Sequence, residues 1–502
     1  MAEYPDFKHG TRGEIRADGI SLSRRGESKM AFVYVGTAPV HLVEGGASNV
    51  NVPILVNNMA DARKYLGYSD DWASYTLCEA MHVHFDIKNV GPVVFINVLD
   101  PTVHISAASG SATLTPSNGA VKIVSAEDAV LDSLVVRSNG VALVKGTDYT
   151  VSYDFNKKVI NITEKTKGSL GSTALTITWT RVDPSAVTEA NVIGSTDDYG
   201  LNTGIYAIKN VYNVTGYIPA YLLAPGFASI PNIHNALFVN SQQISKHWNA
   251  YMFVDMPILT TQGADITIQT ACDWKEANNY NRDNEDVFFP LVKGTDGKTY
   301  HLSVLYAANF QELLIKNDGV PYMSGSNTEC SIIQDLYFSE NVAGRVYDDE
   351  VINRCLNANG INSAAYVGGR WALWGMFAGS YNQTTGDTIN VNDTCLMMLY
   401  YLTNDFQHRR NINIDKPMPV NDLKSIVAEE QTRVDALLGI GALTYGKVQL
   451  DASKEARSDV YSGDFRILFN VTNTPLAKSL TGIANWTADG FEVYFAAMEE
   501  VA

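Results

Sequence analysis

The chain has 502 residues, of which 46% are hydrophobic and 18% are charged, and its formal net charge is -17. This length exceeds what one hydrophobic core usually organises, and the apolar content excludes a disordered acidic tail, so we expect a globular protein of several domains. The acidic balance argues against direct binding to nucleic acid, because phosphate groups are neutralised by clustered Lys and Arg that this chain lacks.

The first residues of the chain differ from the rest. Residues 1–28 are rich in glycine and charge, and they precede an apolar run, 30–36, that predicts a buried strand. Polar residues follow Met1, and no apolar run is long enough to cross a bilayer. We therefore expect an N-terminal arm, no membrane insertion and a chain that stays in a cytoplasm. Five widely spaced cysteines without a Cys-x-x-Cys pair predict reduced thiols.

The segment 29–102 reads as the first part of an α/β domain. Helical patterns over 57–65 and 72–85 are followed by the apolar strand 93–98. The texture then changes, because 103–186 is dominated by Thr, Ser, Val and Gly in short alternating runs. Runs at this spacing predict an all-β, sandwich-like module inserted into the α/β part.

From residue 187 to about 390 the sequence again shows the alternation of predicted strands and helices that is typical of an α/β domain. Two apolar strands, 221–224 and 250–255, flank a helical region at 232–247. Strand, helix and strand at this spacing form a βαβ unit, which predicts that the two strands are parallel.

The region 391–480 contains one strongly amphipathic helix, 421–438, for which Asn421 is the predicted cap. A strand at 465–471 and a polar tether at 481–489 follow. Residues 490–495 alternate as a strand would, with Phe491, Val493 and Phe495 on one face and Glu492 and Tyr494 on the other. Such a strand pairs either within its own domain or with the sheet edge of another copy.

Catalytic and metal-binding signatures are missing from the sequence. There is no phosphate-binding loop, no dinucleotide fingerprint and no nucleophile elbow. His82 and His84 lie two residues apart on a predicted helix and point in different directions, so they are poor partners for one metal ion. The acidic runs 283–286 and 348–350 lack the spacing of a calcium loop and are interpreted as solvated surface. We predict a protein that is not an enzyme and uses no cofactor.

The order of several short motifs resembles that of tail sheath proteins from contractile phage tails and related injection particles. The sequence FVYVGTA at 32–38 resembles the first core strand of that family, and 91–100 resembles its second. LLAPG at 222–226 and FVDMP at 253–257 are similar to its strands that end in Ala-Pro-Gly and Asp-x-Pro. The resemblance covers most of the chain and depends on order and spacing, since none of these motifs is specific alone.

Further landmarks follow in the same order. The stretch 319–327 resembles the family's Pro-Tyr…Pro-Ser-Asn segment, although Gly325 stands where many members have proline. Gly-Ile-Asn at 360–362 and Trp-Gly at 374–375 resemble two more landmarks, while Met-Phe at 376–377 replaces the common Arg-Thr. This replacement leads us to expect a local difference in the turn.

The resemblance implies a structural subunit that stacks as hexameric rings, in a helical polymer, around an inner tail tube. Contraction would drive the tube through a cell envelope by relaxation of a metastable lattice, without nucleotide hydrolysis. The implied partners are further copies of the chain, the tail tube protein, and the baseplate and tail terminator proteins, with no direct nucleic acid. The implied location is the virion, after assembly in the cytoplasm of a bacterial host.

The resemblance also implies three inter-subunit sites within a multidomain α/β (α+β) sheath core that carries an inserted β-module and extended N- and C-terminal arms. The predicted parts are 1–28, 29–102, 103–186, 187–390, 391–480 and 481–502. The implied sites are an N-terminal arm with Arg12, Ile15, Arg16, Ile20 and Leu22, an exchanged C-terminal strand with Phe491, Glu492, Val493, Tyr494 and Phe495, and a tube-facing helix with Lys424, Glu429, Glu430 and Arg433.

Two other classes of function remain open from the sequence. One is a surface or virion adhesin that binds carbohydrate through the inserted β-module, for which Trp179 and the tyrosines of the module give slight support. The other is an α/β enzyme whose site a single sequence does not reveal. Removal of residues 490–502 separates these classes, because only the sheath hypothesis requires the end of the chain for assembly.

Overall fold

The structure is a computed structural model, and it describes residues 29–340, 348–384, 392–451, 453, 460–461 and 463–501. By its internal contacts the chain divides into two compact units, Met1–Pro417 and Met418–Ala502. The predicted N-terminal arm, with Arg12, Ile15, Arg16, Ile20 and Leu22, lies outside the described residues.

An eight-stranded sheet organises the first unit. In spatial order it comprises β18 (Arg370–Trp374), β17 (Ile361–Val367), β13 (Glu285–Phe288), β12 (Tyr251–Asp255), β11 (Ile218–Leu223), β1 (Met30–Gly36), β3 (Val93–Asn97) and β2 (Pro53–Val56). The six inner strands are parallel, and β18 and β2 pair antiparallel at the two edges. Every residue of β3, β11 and β12 is buried, as expected for parallel strands covered on both faces. The predicted parallel pairing of β11 with β12 is confirmed.

Short helices connect and cover these strands. They are α1 (Met59–Tyr65), α2 (Leu77–Met81), α3 (Glu189–Ile193), α4 (Val211–Thr215), α5 (Pro231–Val239), α6 (Ala271–Ala277), α7 (Leu302–Lys316), α8 (Asp349–Cys355) and α9 (Asp393–Arg410). The helix predicted at 72–85 is α2 continued by a π-helical turn, His82–Ile87. The helix predicted at 232–247 ends at Val239, because Gln243, Ser245 and Lys246 adopt positive φ angles that a right-handed helix excludes.

Residues 110–179 form two small antiparallel sheets that share a hydrophobic core of their own. The strands are β4 (Gly110–Leu114), β5 (Ala120–Val124), β6 (Val135–Ser138), β7 (Val141–Ala142), β8 (Tyr149–Asp154), β9 (Val159–Glu164) and β10 (Leu175–Trp179). One sheet has the order β4-β10-β6-β7 and the other β5-β9-β8. Buried residues from both sheets, including Ile160 and Ile177, form one cluster. A third small sheet joins β14 (Leu291–Gly294), β15 (Thr299–Tyr300) and β16 (Ile333–Tyr337).

The second unit contains a long helix and a two-stranded antiparallel sheet. Its elements are α10 (Val420–Gly439), β19 (Leu443–Leu450), β20 (Ile467–Asn473) and α11 (Gly490–Glu499). The helix α10 begins one residue earlier than predicted, after Pro419, and no side chain caps it, so the predicted Asn421 cap is wrong. None of the described helices in either unit is long and apolar enough to span a membrane.

The prediction of a strand at 490–495 is wrong for this chain by itself. These residues belong to α11, in which no side chain is buried. The alternating pattern satisfies a strand, but a strand needs a neighbour for its main-chain groups, whereas a helix satisfies them within its own segment. Without a partner edge, the helix is therefore the conformation that pairs the backbone.

Candidate assembly sites

The Gly-Ile-Asn and Trp-Gly landmarks meet at one turn. The side-chain amide of Asn362 donates to the carbonyl of Phe377 at 2.9 Å and accepts from the same residue's N–H at 3.1 Å. Gly375 has a φ of 129°, and a Cβ there would lie 2.4 Å from Asn362 Oδ1. Because Asn362 binds main-chain atoms of Phe377, these two hydrogen bonds do not require a particular side chain at position 377, while the Phe377 ring is buried and stacks on Tyr381.

The landmark containing Gly325 packs on Tyr306. The N–H of Gly325 donates to the Tyr306 hydroxyl at 3.0 Å, and a Cβ at position 325 would lie 2.8 Å from the tyrosine ring. The hydroxyl donates in turn to Asp393, whose carboxylate also accepts from Ser324 Oγ at 2.8 Å. Proline, common at this position in sheaths, has no N–H to donate. Sequence reasoning missed this cluster because its members are up to 87 residues apart and share no motif.

Two neighbouring carboxyl groups of β13, those of Glu285 and Asp286, lie in the core. The interpretation of 283–286 as solvated surface is therefore wrong at these positions, whereas Asp283 is exposed as predicted. Glu285 Oε2 lies 2.5 Å from Nε2 of the buried His234. Asp286 accepts from the Tyr251 hydroxyl at 3.0 Å through Oδ1, while its Oδ2 has no hydrogen-bond partner. Burial and then the charge of Asp393 raise the pKa of Asp286 well above its usual value. The reason for the correction is topological, since β13 is an inner strand of the large sheet.

Three of the remaining residues considered as metal ligands from the sequence make hydrogen bonds to other groups of the described chain. His82 contacts Asp86, whereas His84 contacts Tyr34 and Gln311, so the two imidazoles face different partners. Asp348 caps α8 by accepting from the N–H of Val351 at 2.9 Å. No group of three or more metal-ligating side chains occurs in the part of the chain that the structure describes.

A cleft of about 320 Å³ lies between α4, the loop before β12 and the end of α9. Its walls include Tyr212 and Trp248, whose rings are 4.9 Å apart, together with Lys209 and His408. None of the residues that line it is a carboxylate, so the cleft holds no pair of acids for general acid–base chemistry.

The aromatic residue cited for carbohydrate binding belongs to a core. Trp179 is buried in the cluster shared by the two small sheets, and a Cβ on Gly110 would meet its ring at 2.1 Å. Carbohydrate binding by stacking needs an exposed aromatic face, which this side chain does not offer. Trp179 therefore gives no support to the adhesin hypothesis.

The predicted charged face of α10 is present except at one position. Lys424, Glu429 and Arg433 are exposed, but Glu430 is only 1% exposed. Position 430 lies four residues after Ile426 and four before Val434, both buried, so it falls on the inner stripe of the helix. The assignment of Glu430 to the exposed face is corrected on this ground.

The end of the chain is the most exposed apolar segment among the described residues of the second unit. Every residue from 477 to 501 is exposed, and the segment before α11 has no regular secondary structure, as predicted for a tether. Leu480, Ile483 and Trp486 are 91%, 80% and 81% exposed. In α11 the exposed large apolar side chains are Phe491, Val493, Tyr494, Phe495 and Met498. A run of this kind marks a surface that a partner covers.

Comparison with known proteins finds similarity along nearly the whole chain. The chain is 26% identical over 470 residues to the tail sheath protein of Burkholderia phage BcepMu, covering 89% of this chain and 90% of that protein. No protein-family model matches.

Solved structures share the fold at low identity. A sheath complex of an extracellular contractile injection system, PVC, in the contracted state matches with a TM-score of 0.55 at 10% identity, covering 97% of this chain and 100% of that one. The sheath tail protein of Desulfitobacterium hafniense matches with a TM-score of 0.50 at 12% identity, covering 94% and 100%. A chain of the anti-feeding prophage baseplate matches with a TM-score of 0.52 at 11% identity, with the same coverage. Along nearly its whole length the chain is thus similar to a phage tail sheath protein, and it shares the fold of sheath proteins from contractile particles.

Proposed function

We propose that this chain is the structural subunit of a contractile sheath that polymerises as stacked hexameric rings around an inner tail tube. The observation that carries the proposal is the exposed apolar end of the chain, 477–501, which one copy leaves uncovered. Exposed side chains such as Trp486 cost free energy in water and are covered in a polymer. The full-length similarity to a phage tail sheath protein supports the same assembly.

Both ends of the chain act between subunits in this proposal. The N-terminal arm, with Arg12, Ile15, Arg16, Ile20 and Leu22, and the C-terminal segment around Phe491, Glu492, Val493, Tyr494 and Phe495 dock on neighbouring copies. The tether before α11 supports this role, because an exposed segment without regular secondary structure lets the docked end stay in place while the body of the subunit rotates.

In this proposal the free energy for contraction comes from rearrangement of the subunit lattice. Subunits assemble in an extended, metastable arrangement and relax to one with larger contacts, which drives the tube through a cell envelope. Nucleotide hydrolysis has no place in the mechanism, in agreement with a sequence that carries no phosphate-binding loop.

The exposed face of α10 is the proposed attachment surface for the tail tube. Lys424, Glu429 and Arg433 present charges of both signs on this face, and contacts made by such charges are weakened by salt. The module 103–186 is proposed to project away from the tube. Baseplate and tail terminator proteins are the proposed partners at the two ends of the polymer, which is part of a virion assembled in a bacterial cytoplasm.

Electron microscopy of the purified chain, with and without residues 490–502, tests the proposal. Full-length protein is expected to form tubes or stacked rings as its concentration rises, and the truncated chain to stay as small particles with unchanged circular dichroism apart from the lost helix. A matched pair of point variants refines the test. Trp486→Ser should weaken polymerisation, whereas Tyr199→Ser, at an exposed aromatic residue of the first unit, should not. Small particles from the full-length chain at every concentration would refute the proposal.

A further inference from the structure

The side-chain amide of Gln431 lies against the outer edge of β19. Its Oε1 accepts from the N–H of Val448 at 2.7 Å, and its Nε2 reaches the carbonyl of Gly446 at 3.3 Å. Gln431 belongs to α10, which packs along β19 in the second unit. One side chain thus binds two main-chain groups of β19, whose paired strand among the described residues is β20.

These two main-chain groups point away from β20. In an antiparallel pair, alternate residues direct both their N–H and C=O groups outward, so residues two apart share one edge. Gly446 and Val448 are two apart, and both use Gln431 rather than β20 for these groups. The side-chain amide donates to one residue and accepts from the other, as the N–H and C=O of one residue in an added parallel strand would.

The amide is held in this position by its own helix. Gln431 Nε2 also donates to Asp435 Oδ1 at 2.8 Å, one helical turn further along. At Gly446 the strand passes so close to α10 that a Cβ would lie 2.1 Å from Val434 Cγ1. The helix and its glutamine therefore cover the β19 edge, which is one of the ways in which proteins protect an exposed strand.

We propose that Gln431 closes the β19 edge to strand addition and directs an extended segment of a second copy to the β20 side of the sheet. This inference rests on the proposed function, in which ends of the chain dock on neighbouring copies. Main-chain pairing does not depend on side-chain identity, so an unprotected β19 would accept the same segment. With the β19 edge covered, β20 has the remaining edge for main-chain pairing among the described strands of this sheet.

A photo-crosslinking residue, p-benzoylphenylalanine, placed at Tyr445 of β19 or at Leu468 of β20 tests the choice of edge. Both side chains are exposed, and each lies on one strand of the same sheet. In assembled full-length protein, crosslinks to a second copy are expected from position 468 and not from 445. With Gln431→Ala, crosslinks from 445 should appear as well. Thr432→Ala, at the next and exposed position of α10, should change nothing.

Hydrogen exchange at Val448 tests the geometry in the unassembled chain. With Gln431→Ala its amide should exchange at least about tenfold faster, as expected for the loss of one hydrogen bond, while Thr432→Ala leaves the rate unchanged. An unchanged rate in Gln431→Ala, or crosslinks from 445 in the parent chain, would overturn the inference although polymers still form. A parent chain that forms no polymer and no crosslink at either site, with the expected exchange result, would instead refute the proposed function on which the inference rests.

Discussion

At the scale of single residues, Asp286 is buried with one carboxylate oxygen that makes no hydrogen bond. Burial, followed by the charge of Asp393, raises its pKa in the folded chain. A carboxyl group whose pKa is raised on folding contributes stability that is complete below its usual pKa and is lost as the pH rises toward the folded value. The stability that Asp286 contributes to the folded chain therefore decreases as the pH rises above the usual pKa of an aspartate.

The substitution Asp286→Asn should remove this loss. The variant keeps an oxygen to accept from Tyr251 and carries no charge, so its advantage in melting temperature should grow as the pH rises above the usual aspartate pKa of about 4. Thermal unfolding at several pH values measures the difference. Asp348→Asn, at an exposed helix cap, is the control and should keep the parent's pH dependence. An Asp286→Asn variant that is less stable at every pH would contradict the prediction.

Gly325 is the second residue with a measurable consequence. Gly325→Ala places a Cβ 2.8 Å from the Tyr306 ring and should lower the free energy of unfolding by about 1–3 kcal/mol. Denaturant unfolding measures the change. Gly439→Ala, at the last position of α10 where a Cβ meets no atom within 4 Å, should be neutral or stabilising. Equal effects at the two glycines would show that space around Tyr306 is not what position 325 requires.

Single residues of the site divide into those that the sequence predicts and those that it does not. Lys424 and Arg433 fall on the outer face of an amphipathic helix, and helical spacing is enough to place them. Glu430 and Asp286 are charged residues inside a core, and a charge in the sequence predicts exposure. Gln431 was not identified because its partners, Gly446 and Val448, are main-chain groups of another element.

At the scale of elements, α11 buries none of its side chains against the described residues. Its ten residues are all exposed, and isolated helices of that length are marginal in water. In the unassembled chain, the amides of α11 should therefore exchange with solvent almost as fast as an unfolded peptide. Hydrogen exchange with mass spectrometry measures this, with the buried strands β11 and β12 as protected references. Slow exchange in α11 before assembly would mean that the helix has a partner within its own chain.

The same contrast explains which elements the sequence predicts. The strands β1, β3, β11 and β12 are continuous apolar runs bounded by turns. The predicted bounds of β1, β3 and β12 nearly match the observed ones, whereas β11 begins at Ile218, before the predicted start at Tyr221. Their surroundings agree with their local pattern. Residues 490–495 have a strand pattern but lack a neighbour in one copy, so the local pattern and the available partners disagree. The local pattern can be read from the sequence, whereas the strands available as partners cannot.

At the scale of the whole molecule, the net charge of -17 opposes self-assembly. Copies of like charge repel one another, and salt screens that repulsion over a Debye length that shortens as ionic strength rises. The protein concentration needed for polymer formation should therefore decrease as the salt concentration is raised from about 0.05 M to about 0.5 M. Light scattering measures it, and electron microscopy distinguishes ordered tubes from aggregates. A required concentration that rises with salt would indicate that attraction between opposite charges dominates the lattice.

The turn held by Asn362 has a consequence for how such a chain can diverge. The Asn362 amide binds the N–H and C=O of Phe377, and every residue type except proline carries both groups. A substitution at this position therefore keeps both hydrogen bonds available while the sequence changes. Contacts of this kind are compatible with a fold that the chain shares with the PVC sheath at 10% identity.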